Sequence, residues 1–391
     1  MGHDSISATQ NSGTPIPVQL SPWRSLIPLF IYFAAAGVLT VMLGPLLPVF
    51  IDRWHLKDVQ AGTLFTSFFV GQFTGSWFAT RNLRFSLIAG SALTAIACAT
   101  LSWLGFHRTH LALFCCGLGL SASLTAGNVV AGISTRAANR ARILAILNVC
   151  WGVGAIACPT LVRFAGESFF LVAAALTAAA GLLLLATMRP LVSAQPSASS
   201  GSTKLALSWP TVLLFAVSLL LYIGSENALG GWLPSYALRN DPALKASTVA
   251  FWFWIAELIS RLLLAAVAPF FSEIHIYRGS LAGLLVSQLA ILLVPHPTGA
   301  FLVSITIVTG ACLGPLYPLL VASLLSSTGQ HPRVGALFSC ASLGGALIPW
   351  LTGAVSTQFG GLRIGLLVPA SGVLFLLLSS STVGRRHLAT A

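Results

Sequence analysis

Beyond residue 24 the chain is a succession of long apolar runs, punctuated at short intervals by charged residues or by Pro and Gly. The runs fall at about 25–50, 59–80, 84–104, 110–133, 142–162, 167–188, 209–237, 247–270, 277–295, 299–325, 333–357 and 362–383. Each is near the ~20 apolar residues that carry a helix across a bilayer. They are continuously apolar and do not alternate, so they predict helices rather than barrel strands, because lipid leaves no water for unpaired backbone groups. The pattern predicts an all-α membrane protein of twelve transmembrane helices.

Two stretches break the pattern. Residues 1–22 (MGHDSISATQNSGTPIPVQLSP) are polar, with neither the basic nor the apolar segment of a cleavable signal, and are expected to form a disordered cytoplasmic tail. Residues 189–208 (RPLVSAQPSASSGSTKLALS) are rich in Ser, Pro and Gly and read as a cytoplasmic linker. It divides the helices six and six, into bundles over 23–188 and 209–384, with a short cytoplasmic tail at 385–391.

Composition closes off other classes. The chain is 56% hydrophobic and 7% charged, where a soluble domain carries about 25% charged residues. That excludes a soluble enzyme, and twelve crossings leave no length for a separate catalytic domain. The net charge of +12 comes from 20 Lys+Arg against 8 Asp+Glu, but the basic residues stand singly between apolar blocks, as topology signals do, so no nucleic-acid partner is expected. With the N-terminus inside, Arg24, Arg81, Arg84, Arg136, Arg140, Arg142, Arg189, Lys204, Arg278, Arg333, Arg385 and Arg386 face the cytoplasm. Arg53, Lys57, Arg108, Arg163, Arg239, Lys245 and Arg363 face the other side, and both termini are expected inside. The compact loops fit a bacterial inner membrane. Seven cysteines lie inside apolar blocks without metal-ligand spacing and read as packing residues; no metal or cofactor is expected. No GxxxxGK[ST] loop is present, so transport would run on gradients or downhill, and nothing demands more than a monomer.

A duplication shows at an offset of about 190 residues. Gly154-Ala-Ile-Ala-Cys-Pro159 in the fifth block lands on Gly344-Gly-Ala-Leu-Ile-Pro349 in the eleventh, and LGPLLP at 43–48 in the first block echoes LGPLYP at 313–318 in the tenth. Pro45, Pro48, Pro159, Gly230, Gly231, Pro234, Pro315, Pro318 and Pro349 free backbone groups inside helices, which is tolerated where protein or a watery cavity satisfies them. Helices one, five, seven, ten and eleven are thus expected to line a cavity or to move.

Twelve helices, a six-plus-six split and a central linker resemble the major facilitator superfamily of secondary transporters. The loop after the second helix, GQFTGSWFATRNLR with Gly71, Gly75, Arg81 and Arg84, resembles that superfamily's inter-helix motif but lacks its acid; Ser260-Arg261 is similar to the Gly-Arg pair of the second half. Asn128, Asn148 with Gly152-Val-Gly-Ala, SENALGGWLPSY at 225–236 and GALIPWLTG at 345–353 resemble the fucose permease-like group of sugar porters. The resemblance implies alternating access around a midplane site. Such permeases often carry coupling acids in their first and fourth helices, where this chain has none, Leu124 standing near the fourth-helix position.

Three ionisable side chains fall at membrane depth, where charge is costly: Glu226, Glu257 and Arg261. Glu226 precedes Asn227 and the flexible Gly230-Gly231, and is expected to bind solute and to couple protons. The alternatives for it are to accept hydrogen bonds from solute hydroxyls without titrating, or to pair with a helix end. Glu257 and Arg261 are four apart on one helical face and can pair as a packing or gating element, with Arg81 and Arg84 in the inside gate. Gln72, Asn128, Asn148, Asn227, Trp151, Trp254, Tyr317 and Trp350 supply the amides and aromatic faces that a sugar's hydroxyls and C–H faces require. Against this, Trp gathers in interfacial belts and Asn can join helices. The absence of a basic cluster at depth argues against phosphorylated solutes. The sequence thus predicts proton-coupled symport of a small neutral solute, a hexose above all. The alternatives are an uncoupled sugar facilitator, an exporter of hydrophobic compounds and a non-transporting receptor.

Overall fold

The structure, a computed structural model, describes residues 26–135, 137–187, 209–328 and 333–388. The predicted tail 1–22 and linker 189–208 lie outside the described residues, as do Arg24, Arg136, Arg189, Lys204 and the side chains of Arg333, Arg385 and Arg386. Among the described residues there is helix but no strand.

The first crossing is a broken pair, α1 (Ile27–Thr40) and α2 (Leu43–Trp54), followed by α3 (Asp58–Phe78), α4 (Leu83–Thr100), α5 (Phe106–Ile133), α6 (Ala137–Ala165) and α7 (Phe169–Thr187). The second group comprises α8 (Trp209–Asn240), α9 (Ala246–Val267), α10 (Glu273–Leu293), a second broken pair α11 (Gly299–Leu313) and α12 (Leu316–Thr328), α13 (Arg333–Phe359), and α14 (Leu362–Gly365) with α15 (Leu367–Leu388). Every predicted apolar block falls on one helix or one broken pair. Among the described residues nine stretches are by themselves long and apolar enough to cross a membrane, one of them, Arg142–Thr187, covering most of α6 and all of α7. Several helices outrun their blocks: α6 begins before Arg142, α8 runs past Ala237 to Asn240, and α15 reaches Leu388, into the stretch expected to be tail. Charged residues at a helix end keep the backbone bonds while their side chains reach water, so punctuation in the sequence is not the end of the helix.

The two LGPLxP segments have the same structural effect. Proline carries no N–H to donate to the carbonyl four residues back, and the first crossing breaks at Val41–Met42 beside Pro45, the tenth at Gly314–Pro315 beside Pro315 and Pro318. The 190-residue echo also recurs in packing. A Cβ on Gly154 would lie 1.8 Å from the Ala34 carbonyl oxygen, and one on Gly344 would lie 1.9 Å from that of Leu220. Hence α6 meets α1, and α13 meets α8, backbone against backbone. Gly71 on α3 meets Phe114 of α5, and Gly310 on α11 meets Phe253 of α9, in the same way. Small residues are how helices come together in lipid, where apolar side chains gain little by leaving it.

Short connections make successive crossings alternate in direction. One end, called near, carries the ends of α3, α5, α7 and α9; the other, far, carries the starts of α3, α5 and α9. Arg81, Arg84 and Arg278 sit at the near end, and Arg53, Arg108, Arg163, Arg239 and Arg363 at the far end. Between the two groups, α3 runs against α13, α2 against α8, and α6 against α9.

Candidate functional site

A cavity of about 250 Å³ lies between the two helix groups, in the half nearer the near end. The break in the first crossing puts Thr40 and Val41 on its wall; α3 adds Phe69 and Gln72, α5 Asn128, and α6 Asn148 and Trp151. From the second group come Glu226 and Asn227 of α8, Trp254 and Arg261 of α9, Tyr317 of α12, and Ala341 and Ser342 of α13. Eight of the nine expected solute-binding residues therefore converge: Gln72, Asn128, Asn148, Trp151, Glu226, Asn227, Trp254 and Tyr317.

Trp350 corrects the expectation. It lies on α13 about 12 Å beyond Ser342 at 1.5 Å rise per residue, and its backbone packs against Gly62, where a Cβ would meet the Trp350 Cα at 2.9 Å. It belongs to the contact between α3 and α13 on the far side. Arg81 and Arg84 are corrected too. Both are exposed and make no ion pair among the described residues; Arg81 instead lies over the Phe78 ring, 4.5 Å from its centroid.

The charged centre differs from the sequence expectation in its connections. The sequence places no cation near Glu226, yet Arg261 Nη2 donates to Glu226 Oε1 at 2.8 Å, and also pairs with Glu257 Oε1. Tyr222 Oη donates to Glu226 Oε1 at 2.6 Å and receives a 3.3 Å bond from Arg261. One guanidinium thus serves two carboxylates and a phenol. Glu226 and Arg261 border the cavity, whereas Glu257 is 1% exposed behind them, with Oε2 unpartnered among the described residues. The broken tenth crossing completes the cluster. Pro318 cannot donate to Gly314 O, and Arg261 Nε donates there instead, at 3.3 Å.

The neutral groups form a definite donor and acceptor pattern. The Nδ2 groups of Asn128, Asn148 and Asn227 donate to the carbonyls of Leu124, Leu144 and Ile223, one turn back on their own helices. A carbonyl can only accept, so this fixes each amide's orientation, and each Oδ1 is left without a donor among the described residues. The complementary groups are Gln72 Nε2 and Trp254 Nε1, both buried donors without an acceptor among the described residues. Trp151 donates to Thr40 Oγ1 at 3.2 Å, meets Trp254 edge-on at 6.2 Å and lies 5.8 Å from the Arg261 guanidinium. Tyr317 stacks at a tilt on Tyr222, 5.7 Å between centroids.

A cluster missed in the sequence closes the far end. Arg239 of α8 holds Asp58 of α3 through two bonds, Ser356 of α13 donates to the same carboxylate, and Thr357 Oγ1 accepts from the Val59 N–H at 2.9 Å. Trp232 Nε1 donates to Pro349 O at 2.9 Å just below. The only sequence sign was opposite charge at two helix ends.

Comparison with known proteins agrees with this architecture. The sequence profile of the Major Facilitator Superfamily matches residues 29–349. A curated relative, Bypass of stop codon protein 6 of Saccharomyces cerevisiae, is 25% identical over 93% of this chain and 83% of its own length. Among solved structures, a bacterial homolog to the human lysosomal transporter Spinster, in an inward-facing and occupied conformation, superposes with a TM-score of 0.73 at 16% identity, covering 95% of this chain and 98% of that one. The nucleoside transporter NupG gives 0.72 at 15%, over 92% and 99%.

Proposed function

The chain belongs to the major facilitator superfamily, and on that premise we propose that it moves a small neutral polyhydroxy solute, of hexose size, by alternating access and with proton coupling through Glu226. It is a multi-pass membrane transporter and not an enzyme. The carrying observation is the set of three asparagine oxygens left open on α5, α6 and α8. Three acceptors on the wall ask for a ligand with several donors, and the unpaired N–H groups of Gln72 and Trp254 ask the same ligand to accept. Hydroxyl groups do both, and the Trp151, Trp254 and Tyr317 rings offer surface for the C–H faces of a sugar. An apolar solute would leave these groups desolvated and unpaired, at a cost of ~1–3 kcal/mol each. Two carboxylates on one guanidinium leave one charge in excess, which a proton on Glu226, at the cavity wall, would remove.

The test is uptake of labelled D-glucose and L-fucose into liposomes holding the purified protein, with and without an inward proton gradient. Uridine belongs in the panel, since a nucleoside's ribose carries the same hydroxyls and one protein of this fold is a nucleoside transporter. Accumulation above equilibrium only with the gradient supports the reading; equilibration alone removes the proton from it. Failure of every hydroxylated solute, together with export of apolar dyes, overturns the solute class.

A further inference from the structure

Between α6 and α9, on the seam of the two helix groups, lies a second cavity separate from the central one. The helices touch at mid-depth, where a Cβ on Gly152 would lie 2.8 Å from Leu258 Cδ1. Toward the far end a space of about 220 Å³ opens between them, lined by Thr160, Arg163 and Phe164 of α6 and by Thr248, Phe251 and Trp252 of α9, with Ser247 beside them. The lining is divided chemically. Arg163 is exposed and its guanidinium makes no ion pair or hydrogen bond among the described residues, lying instead 5.8 Å from the centroid of the Phe164 ring. Thr160, Ser247 and Thr248, each carrying a hydroxyl, line the same cavity. Its other walls are aromatic, and Phe164 and Trp252 are 79% and 39% exposed toward the outside of the helix bundle.

The cavity lies within the last two turns of α6 and the first two of α9, which is the depth of the bilayer's polar boundary for helices of this length. A cation and hydroxyls beside two exposed aromatic rings at that depth match an amphiphile with a phosphate at one end and hydrocarbon at the other. We propose that this seam is a binding site for an anionic phospholipid: Arg163, with Thr160 and Thr248, holds the headgroup phosphate, and the acyl chains lie along Phe164 and Trp252. The lipid would touch both helix groups at once on the seam across which they move. Arg suits the phosphate because its fork presents paired N–H donors. The inference stands apart from the solute reading, since none of these residues borders the central cavity.

Native mass spectrometry of the full chain, released from detergent after incubation with phosphatidylglycerol or phosphatidylcholine, tests it. The expected result is preferential retention of phosphatidylglycerol, weakened about tenfold by Arg163→Gln, the scale of one lost charge-assisted contact of ~1.4 kcal/mol, and largely kept by Arg163→Lys. Thermal unfolding without lipid should be alike for all three proteins, separating loss of the site from loss of the fold. Trp252→Ala should weaken both lipids alike. Equal retention of the two lipids by the unsubstituted chain, or an Arg163→Gln protein that keeps the preference, overturns the proposal. Displacement of the lipid by millimolar inorganic phosphate also overturns it, as the mark of a free-anion site.

Discussion

Arg239 and Asp58, 181 positions apart in sequence, face each other across the far end of the molecule with Nη1–Oδ2 at 2.9 Å and Nη2–Oδ1 at 2.6 Å. The pair joins α8 to α3, hence the second helix group to the first. Arg239 keeps 40% of its side chain exposed, so screening limits what the contact adds to stability, to about 1 kcal/mol or less. Its geometry matters more than its energy: it is a latch between α8 and α3 at the end away from the central cavity. Asp58→Asn is expected to lengthen the distance between spin labels at positions 57 and 240, measured by pulsed electron resonance, with little change in thermal unfolding. An unaltered distance distribution would show that the latch lies elsewhere.

Glu226 is expected to separate coupling from translocation. Glu226→Gln keeps the side chain's size and its capacity to accept from Tyr222 and Arg261, but cannot exchange a proton. Gradient-driven accumulation should be lost while exchange of preloaded sugar persists within a few-fold. Equal loss of both activities would make Glu226 a solute ligand alone.

Arg261 is the cation that pairs with both buried acids, so its removal should be far worse than the removal of all three charges. Arg261→Met alone leaves Glu226 and Glu257 without a counter-charge and is expected to cost about 3–5 kcal/mol, whereas the triple change with Glu226→Gln and Glu257→Gln recovers most of that. Thermal unfolding of the purified proteins reads the difference. Equal destabilisation by the single and triple changes would show that packing of the Arg261 stem, not charge, holds the cluster.

Trp254 offers a sharper test of the solute site than deletion of a charge. Its Nε1–H is buried without an acceptor among the described residues, so Trp254→Phe removes a donor that stabilises nothing within the protein. The expected outcome is KM raised about tenfold with the unfolding temperature unchanged or higher. A lower unfolding temperature with unchanged KM would assign the group to internal packing.

Glycine contacts give a prediction with a built-in control. Gly154→Ala and Gly344→Ala place a methyl group under 2 Å from a carbonyl oxygen of the adjacent helix and should each cost about 1–3 kcal/mol. Gly279→Ala on α10 meets nothing within 4 Å and should be neutral or add up to ~1 kcal/mol through helix propensity. Similar effects at all three positions would remove the case for backbone-to-backbone packing.

What the sequence disclosed follows from how each signal is carried. Helices were legible because hydropathy is local, and Pro marked the breaks in the first and tenth crossings, but α6, α8 and α13 run unbroken through Pro159, Pro234 and Pro349, where breaks were equally expected. The amides converged as expected because a polar side chain deep in an apolar block has few tolerable places other than a cavity wall. Connections between distant residues were not legible. Glu226 looked solitary because its cation lies 35 positions away, on the next helix, and the Asp58–Arg239 pair looked like two unrelated topology signals. Trp350 failed for another reason: a Trp in a Gly- and Pro-broken helix suits a binding site and a helix crossing equally, and only its height along α13 separates the two.

The carbonyl of Gly314 links two quantities that are usually independent. Pro318 denies it a backbone partner, and the Arg261 side chain that supplies one is the same group that pairs with Glu226 and Glu257. Drawing that guanidinium away from Gly314 would leave the carbonyl at the bend between α11 and α12 without this donor. The backbone of the tenth crossing and the charged wall of the cavity therefore share one guanidinium, so a change of charge at either acid would reach that backbone without any contact from the transported solute.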